Sequence, residues 1–253
     1  MQRYYVPKEN WEKDAVLVTK EDAHHIKRVM RQQVGDQMIC NHPSGKAARC
    51  IIDIIADDYV KARIMEWLED DHELPVKVTI AQGLPKGNKL ELILQKGTEL
   101  GAAAFQLFEA DRSIAKWDVK KAANRFKRFD KIIKEASEQC HRNLKPTLYD
   151  FQSLQEIVTD SPTYDHIIVG YEEEAKRETD YTFGDVLSTI QHGQSILIVI
   201  GPEGGFSKEE VIMLKEHGAI PVRFGKRILR TETASLYALA SISYHFEELR
   251  CSK

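Results

Sequence analysis

The segment Ile198-Val-Ile-Gly-Pro-Glu-Gly-Gly-Phe-Ser-Lys-Glu-Glu210 has the residue types of a ligand loop: an apolar run, a glycine-rich turn and a helix start. Gly201, Gly204 and Gly205 lack a Cβ, so backbone N–H groups there can approach a bound molecule closely. The turn follows a strand, and ligands of open α/β sheets bind at the carboxyl ends of strands. Ser207 and Glu210 have the spacing of a capping box, which specifies where the helix begins. A tight strand-to-helix turn that holds no ligand has the same signature. A second segment, Arg223-Phe-Gly-Lys-Arg-Ile-Leu-Arg-Thr-Glu-Thr-Ala234, places four basic residues in a loop that enters the last helix beside Glu232. Such a loop suits an anion or a nucleic acid; a solvated basic loop is the plainer alternative. No G-x-G-x-x-G follows a strand, and G-x-x-x-x-G-K-[ST] and G-x-S-x-G do not occur. Dinucleotide-binding, P-loop and serine-hydrolase chemistry are therefore disfavoured.

The elements that must position these loops fall into two stretches. Up to the acidic linker Glu69 to Glu73, short β-branched runs at 15–18, 37–40, 49–55 and 59–64 alternate with turn residues, which predicts a small β-rich unit. One helix interrupts it, from Glu21 to Arg31, with Ile26, Val29 and Met30 expected on its buried face. After Pro75 strands at 76–81, 103–108, 166–170, 195–200 and 220–224 alternate with helices at 88–100, 119–141, 183–191, 208–217 and 233–249. That rhythm predicts a mostly parallel sheet with helices on both faces. In the helix at 119–141, Val119, Ala122, Phe126, Phe129, Ile133, Ala136 and Cys140 recur at steps of three and four. Lys120, Lys121, Lys127, Lys131 and Lys134 fall largely on its other side.

The 253 residues carry a formal net charge of -3, yet Arg112 to Lys145 holds eleven Lys or Arg against four Asp or Glu. Acidic residues collect at Glu69 to Asp71 and Glu172 to Glu174. A local basic face of this kind fits phosphate binding, although a solvated helix face would look the same. Cys40, Cys50, Cys140 and Cys251 form no Cys-x-x-Cys pair, so neither a disulfide framework nor a zinc site is expected. The start of the chain has no apolar signal region, and Ile196 to Ile200 is too short to span a membrane. A cytoplasmic protein without metal is the resulting expectation. Cys140 is expected to be a buried inert thiol, His24 and His25 surface or core residues, and Trp11, Trp67 and Trp117 isolated packing residues.

The pairing of G-P-E-G-G-F-S-x-x-E with F-G-x-R-I-L-R-x-E-T-A resembles the RsmE family of SPOUT methyltransferases, with Phe224 in place of the usual Leu. Gln95-Lys-Gly-Thr-Glu-Leu-Gly101, Asp111-Arg-Ser113 and Glu135-Ala-Ser-Glu-Gln-Cys-His-Arg142 are further matches. His25-Ile-Lys-Arg-Val-Met-Arg31 and Gly35-Asp36 match more weakly, and the resemblance spans nearly the whole chain. It implies a small PUA-like RNA-binding β-barrel domain over 1–72. After it, over 73–253, comes a SPOUT-type α/β domain with a parallel sheet and a C-terminal trefoil knot. It also implies a homodimer that takes S-adenosylmethionine and methylates N3 of a uridine in 16S ribosomal RNA of the small subunit. By position, the cofactor falls to Val169 and Gly170, to Ile200, Gly201, Glu203, Gly204 and Gly205, and to Gly225, Ile228 and Leu229. RNA and catalytic roles fall to Arg112, Glu138, Arg142, Arg230 and Glu232.

The chemistry explains these residue types. The N3–H of uridine is a weak acid, so a base must take its proton and a donor must stabilise the charge left on O2 and O4. Glu138 or Glu232 could act as the base, and Arg142 or Arg230 as the donor. Another SPOUT activity, such as 2′-O-methylation, and a non-catalytic RNA-binding protein are the alternative readings.

Overall fold

The structure is a computed structural model that describes residues 1–114, 117, 119–159, 164–171 and 182–249, and of residues 119–123 the backbone alone. Glu172 to Glu174, Cys251 and the side chains of Val119, Lys120, Lys121 and Ala122 lie outside the described residues. The chain divides into two compact units. Met1–Glu73 and Ser137–Lys145 form the first, and Leu74–Ala136 with Pro146–Lys253 form the second.

The first unit is a five-stranded mixed sheet of β1 (Arg3–Tyr5), β2 (Ala15–Thr19), β3 (Gln37–Asn41), β4 (Ala47–Ile55) and β5 (Tyr59–Leu68) in the order β1-β3-β4-β5-β2. Its end strands, β1 and β2, are not paired with each other, so the sheet is open. Alternation of apolar and polar residues buries one face: Val16 and Val18 of β2 point inward with Val60 and Ala62 of β5. The helix that follows β2 begins at Lys20 and turns π-helical over His25–Val29. Ile26 is buried as expected, but Val29 and Met30 are exposed. The wider π turn rotates them off the buried face, and Arg31, at φ +52°, ends the helix. Trp11 and Trp67 are not isolated: their rings stack at 5.3 Å, with His42 edge-on to both.

Polar contacts hold the 137–145 segment in this unit. Tyr5 Oη and Asn41 Nδ2 each donate to the carbonyl of Arg142 at 2.7 Å. Arg3 donates to Asn143 Oδ1 at 2.7 Å, and Asn143 donates to the carbonyl of Asp70 at 2.6 Å. The buried guanidinium of Arg142 grips Glu73, with Nε 3.1 Å from Oε2, and Glu73 also accepts the Leu144 N–H. The acidic linker is thus pinned by a cation and an amide.

The second unit is a seven-stranded sheet in which every pairing is parallel. Its strands are β6 (Lys77–Gly83), β7 (Ala104–Glu109), β8 (Thr147–Leu148), β9 (Gln152–Ser153), β10 (His166–Gly170), β11 (Ser195–Ile200) and β12 (Ile220–Val222). The main path is β12-β10-β11-β6-β7-β8, with β9 also on β7. Helices cover both faces, which is why β6 and β11 are buried along almost their whole length. Helices α2 (Lys89–Glu99) and α3 (Val119–Gln139) come early in the unit. Counting the helix at Lys20–His24 as α1, the later ones among the described residues are α4 (Leu154–Thr159), α5 (Phe183–Thr189), α6 (Lys208–Glu216) and α7 (Thr231–Ser243). Trp117 packs into this core against Phe126, Phe129 and Phe151. Cys140, expected to be buried, is only partly so, because α3 ends at Gln139 and His141 reverses the backbone at φ +65°.

The expected capping box is present: Glu210 N–H donates to Ser207 Oγ at 3.1 Å and Ser207 N–H to Glu210 Oε2 at 2.7 Å. Asp111 interlocks with it, accepting from Ser207 Oγ at 2.6 Å and donating its N–H to Glu210 Oε1 at 2.9 Å. The Asp111 to Ser113 turn therefore lies against the glycine loop. A Cβ on Gly204 would come within 2.7 Å of the Arg112 carbonyl oxygen, so the close approach that requires this glycine is by the protein's own backbone.

Two stability outcomes follow. Glu73→Ala leaves Arg142 buried without that carboxylate and should cost about 3–5 kcal/mol; thermal unfolding as late as the parent's would contradict the structural role given to the pair. Gly204→Ala forces Arg112 to move and should cost about 1–3 kcal/mol, read as a lower unfolding midpoint. An unchanged midpoint would mean that the two loops do not press together.

Candidate functional site

Parallel strands end on one edge, and there a cleft of about 680 Å³ opens, a size suited to a small organic ligand. Gly170, Ile200 and Val222, the last residues of β10, β11 and β12, line it. Gly201 to Phe206 form one wall, and Arg227 to Thr231 another. Ile200, Val222, Phe224 and Leu229 give it apolar surface. Phe224 is wedged between Phe183 and Tyr237, with ring centroids at 5.0 and 5.8 Å. A Cβ on Gly170 would come within 2.6 Å of the Phe224 ring, so a glycine must end that strand.

Among the described residues six cations line the cleft (Lys89, Arg112, Lys208, Arg223, Arg227 and Arg230) against one carboxylate, Glu203. Glu203 accepts from Lys89 Nζ at 2.7 Å and from the Lys86 N–H at 3.2 Å, which ties the glycine loop to the start of α2. Partial burial pushes the Glu203 carboxyl up, but Lys89 and the neighbouring backbone N–H groups outweigh it and hold the group below its ordinary value. The hydrogen bond that Lys89 donates to Glu203, with Glu232 adding to it, raises the Lys89 ammonium in turn. Glu232, in the first turn of α7, lies 3.3 Å from the same ammonium.

Of the expected cofactor residues, Gly170, Ile200, Gly201, Glu203, Gly204, Gly205, Ile228 and Leu229 line the cleft. Val169 does not, because its side chain is buried in the apolar layer with Leu197, Val199 and Phe206. Gly225 turns the chain at φ +78° and borders a second depression beside α7 instead. Arg112 and Arg230 line the cleft, and Glu232 reaches its rim through Lys89. Glu138 and Arg142 belong to the first unit, where Arg142 is committed to Glu73. On the basic face of α3, Arg128 pairs with Glu91 at 2.8 Å and Lys131 with Glu135 at 3.8 Å. Part of that face is therefore internally neutralised.

Sequence reasoning passed over Lys89, Gln82, Thr231 and Ser235. Gln82 carried a signal: a polar side chain inside the buried run Val78–Gly83 must find hydrogen-bond partners. Among the described residues no group of His, Cys, Asp and Glu could hold a metal ion, and no helix is long and apolar enough to cross a membrane.

Comparison with known proteins shows the family. A family model described as an RNA methyltransferase domain matches residues 72–243, and one described as an RNA methyltransferase PUA domain matches residues 18–65. The chain is 46% identical to ribosomal RNA small subunit methyltransferase E of Bacillus subtilis (strain 168), over 99% of both chains. It is 32% identical to the protein of that name from Synechocystis sp., over 90% of this chain and 72% of that one. Among solved structures, a ribosomal RNA small subunit methyltransferase E from Neisseria gonorrhoeae bound to S-adenosyl methionine matches with a TM-score of 0.83. That match has 28% identity and covers 97% of this chain and 98% of that one. The chain belongs to the ribosomal RNA small subunit methyltransferase E family, with an RNA methyltransferase domain behind an RNA methyltransferase PUA domain.

Proposed function

We propose that the chain transfers a methyl group from S-adenosylmethionine to N3 of a uridine in 16S ribosomal RNA of the small subunit, in the cytoplasm. The observation that carries this reading is the charge of the cleft. Among the described residues six cations and one carboxylate line it, and a sulfonium cofactor does not call for such a surplus. A polyanionic substrate does, and so does a base that becomes anionic as it reacts. The apolar surface and glycine-rich wall suit an adenosine moiety, which fits Gly170, Gly201 to Gly205, Ile228 and Leu229. When bound, the cofactor supplies a methyl group already activated by a positively charged sulfur.

The chain's own residues supply the rest. Glu232, at the rim beside Lys89, is placed to accept the N3 proton. Arg230, exposed at the cap of α7, can donate two hydrogen bonds to a planar anion and stays protonated at any working pH. Glu232 is engaged with Lys89, which favours a substrate-facing role for Arg230 over a structural pair between the two. Transfer to a ribose 2′-hydroxyl would make less use of such a donor, because no charge delocalised over two carbonyl oxygens forms there. The first unit and the exposed cations of α3 are assigned to RNA. Exposed Ile228, Tyr237, Tyr244 and Leu249, on α7 and beside it, support a homodimer formed through the last helix. The resemblance also implies that the C-terminal path is knotted.

The direct experiment is to incubate the protein and labelled cofactor with undermethylated small subunits and to identify the methylated nucleoside. N3-methyluridine supports the proposal; a 2′-O-methyl nucleoside, or no transfer, overturns it. Within the proposal, Arg230→Ala should lower kcat by on the order of 100- to 1,000-fold while leaving cofactor affinity nearly unchanged. Higher pH should recover part of the loss, since more uridine ionises unaided. Parallel losses of cofactor affinity and thermal stability, without rescue at high pH, would make Arg230 a structural residue instead.

A further inference from the structure

Behind the cleft a chain of buried hydrogen bonds joins β6, the glycine loop and α7. Gln82 and Ser235 are fully buried and Thr231 nearly so. Ser235 Oγ donates to Gln82 Oε1 at 2.5 Å. Gln82 Nε2 donates to the carbonyl of Gly83 at 2.9 Å and to Thr231 Oγ1 at 2.9 Å. Thr231 Oγ1 donates to the carbonyl of Gly201 at 2.6 Å. Carbonyl oxygens can only accept, so the two backbone carbonyls fix the direction of every proton. Gln82 must present its NH₂ to Gly83 and Thr231, and the Thr231 hydroxyl, having accepted from Gln82, must give its one proton to Gly201.

We infer that Gln82, Thr231 and Ser235 are positioning residues that set the separation of the two walls of the cofactor cleft. Gly201 begins one wall, and Thr231 ends the other directly after Arg230. The hydroxyl of Thr231 is the only side-chain group in this chain of bonds that spans from one wall to the other. Side chains of this network reach two carbonyls in the strand-end turns, Gly83 and Gly201. Because the groups are buried, an unmade bond leaves a desolvated donor or acceptor, so the arrangement tolerates few alternatives. Replacing the hydroxyl with a methyl group leaves the Gly201 carbonyl and one Gln82 N–H without these partners. The walls must then shift to find others, and a cleft shaped for one ligand loses its fit.

The inference rests on the reading that this cleft takes S-adenosylmethionine, and the test separates the two. Calorimetric titration of the parent with S-adenosylmethionine comes first: no binding would remove the reading itself. If the parent binds, Thr231→Val, nearly isosteric, should weaken affinity by on the order of tenfold, equal to about 1.4 kcal/mol. Thr231→Ser, which restores the hydroxyl, should return to parental affinity. Gln82→Met should weaken binding to a similar extent, and the double variant with Thr231→Val should be no weaker than either single one, since both break the same chain. Residues that served only stability would lower the unfolding midpoint and leave affinity untouched. Parental affinity in a folded Thr231→Val protein, or a Thr231→Ser protein as weak as Thr231→Val, overturns the inference. If Thr231→Val does not fold, Ser235→Ala decides: it removes only the far donor, and affinity equal to the parent's overturns the inference while weaker binding supports it.

Discussion

Parallel pairing of β11 between β6 and β10 is the constraint on which the rest depends. Ser195 to Ile200 register against Lys77 to Gln82 on one side, and Ile196 to Ile200 against His166 to Gly170 on the other. Because all the strands run the same way, their carboxyl ends share one edge, and the connections that leave them must converge there. Gly170, Ile200 and Val222 stand at that edge because their strands end there, and the cleft is the space between the segments that follow them. The apolar run of β11 secures the register: buried on both faces, it cannot slip without exposing part of itself or burying polar residues.

Register alone does not hold loops still. The glycine wall is fixed from three directions by different physical means. Glu203 reaches Lys89 and the Lys86 N–H, an ion pair at the rim that salt and solvent weaken. Asp111 and Glu210 clasp its far end around Ser207, partly out of solvent. Gln82 and Thr231 hold its first residue from inside the protein, where hydrogen bonds are least exchangeable. Cations crowded into a cleft repel one another, and Glu203 and Glu232 relieve that repulsion around Lys89, while Arg223, Arg227 and Arg230 also line the cleft.

The sequence made the elements legible wherever one period dominated. β11 and its glycine turn, the capping box at Ser207 and the stripe on α3 could be read because each is a local pattern. What it hid came from long-range partners. Nothing near Arg142 in sequence announces Glu73, so the buried pair between them was not legible. Gly204 looked like a glycine for a ligand, and the backbone it makes room for, at Arg112, is 92 residues away. Val29 and Met30 followed a 3.6-residue period that the π turn at His25 breaks. Val169 fell one residue short of the cleft, because successive strand residues face opposite sides of the sheet. The site was most visible where glycine and charge concentrate, and least visible where a neutral side chain, Gln82 or Thr231, acts through another group.

A cofactor that enters the cleft at the carboxyl edge of the parallel sheet must protect the segments that line it. Amide hydrogen exchange, measured by mass spectrometry with and without S-adenosylmethionine, tests it most directly, since a bound ligand slows the opening of the segments it touches. Exchange should slow in peptides covering 198–206 and 222–232, with little change in 1–73. Unchanged exchange at 198–206 and 222–232 under saturating cofactor, with slowing confined to 1–73, would contradict the account.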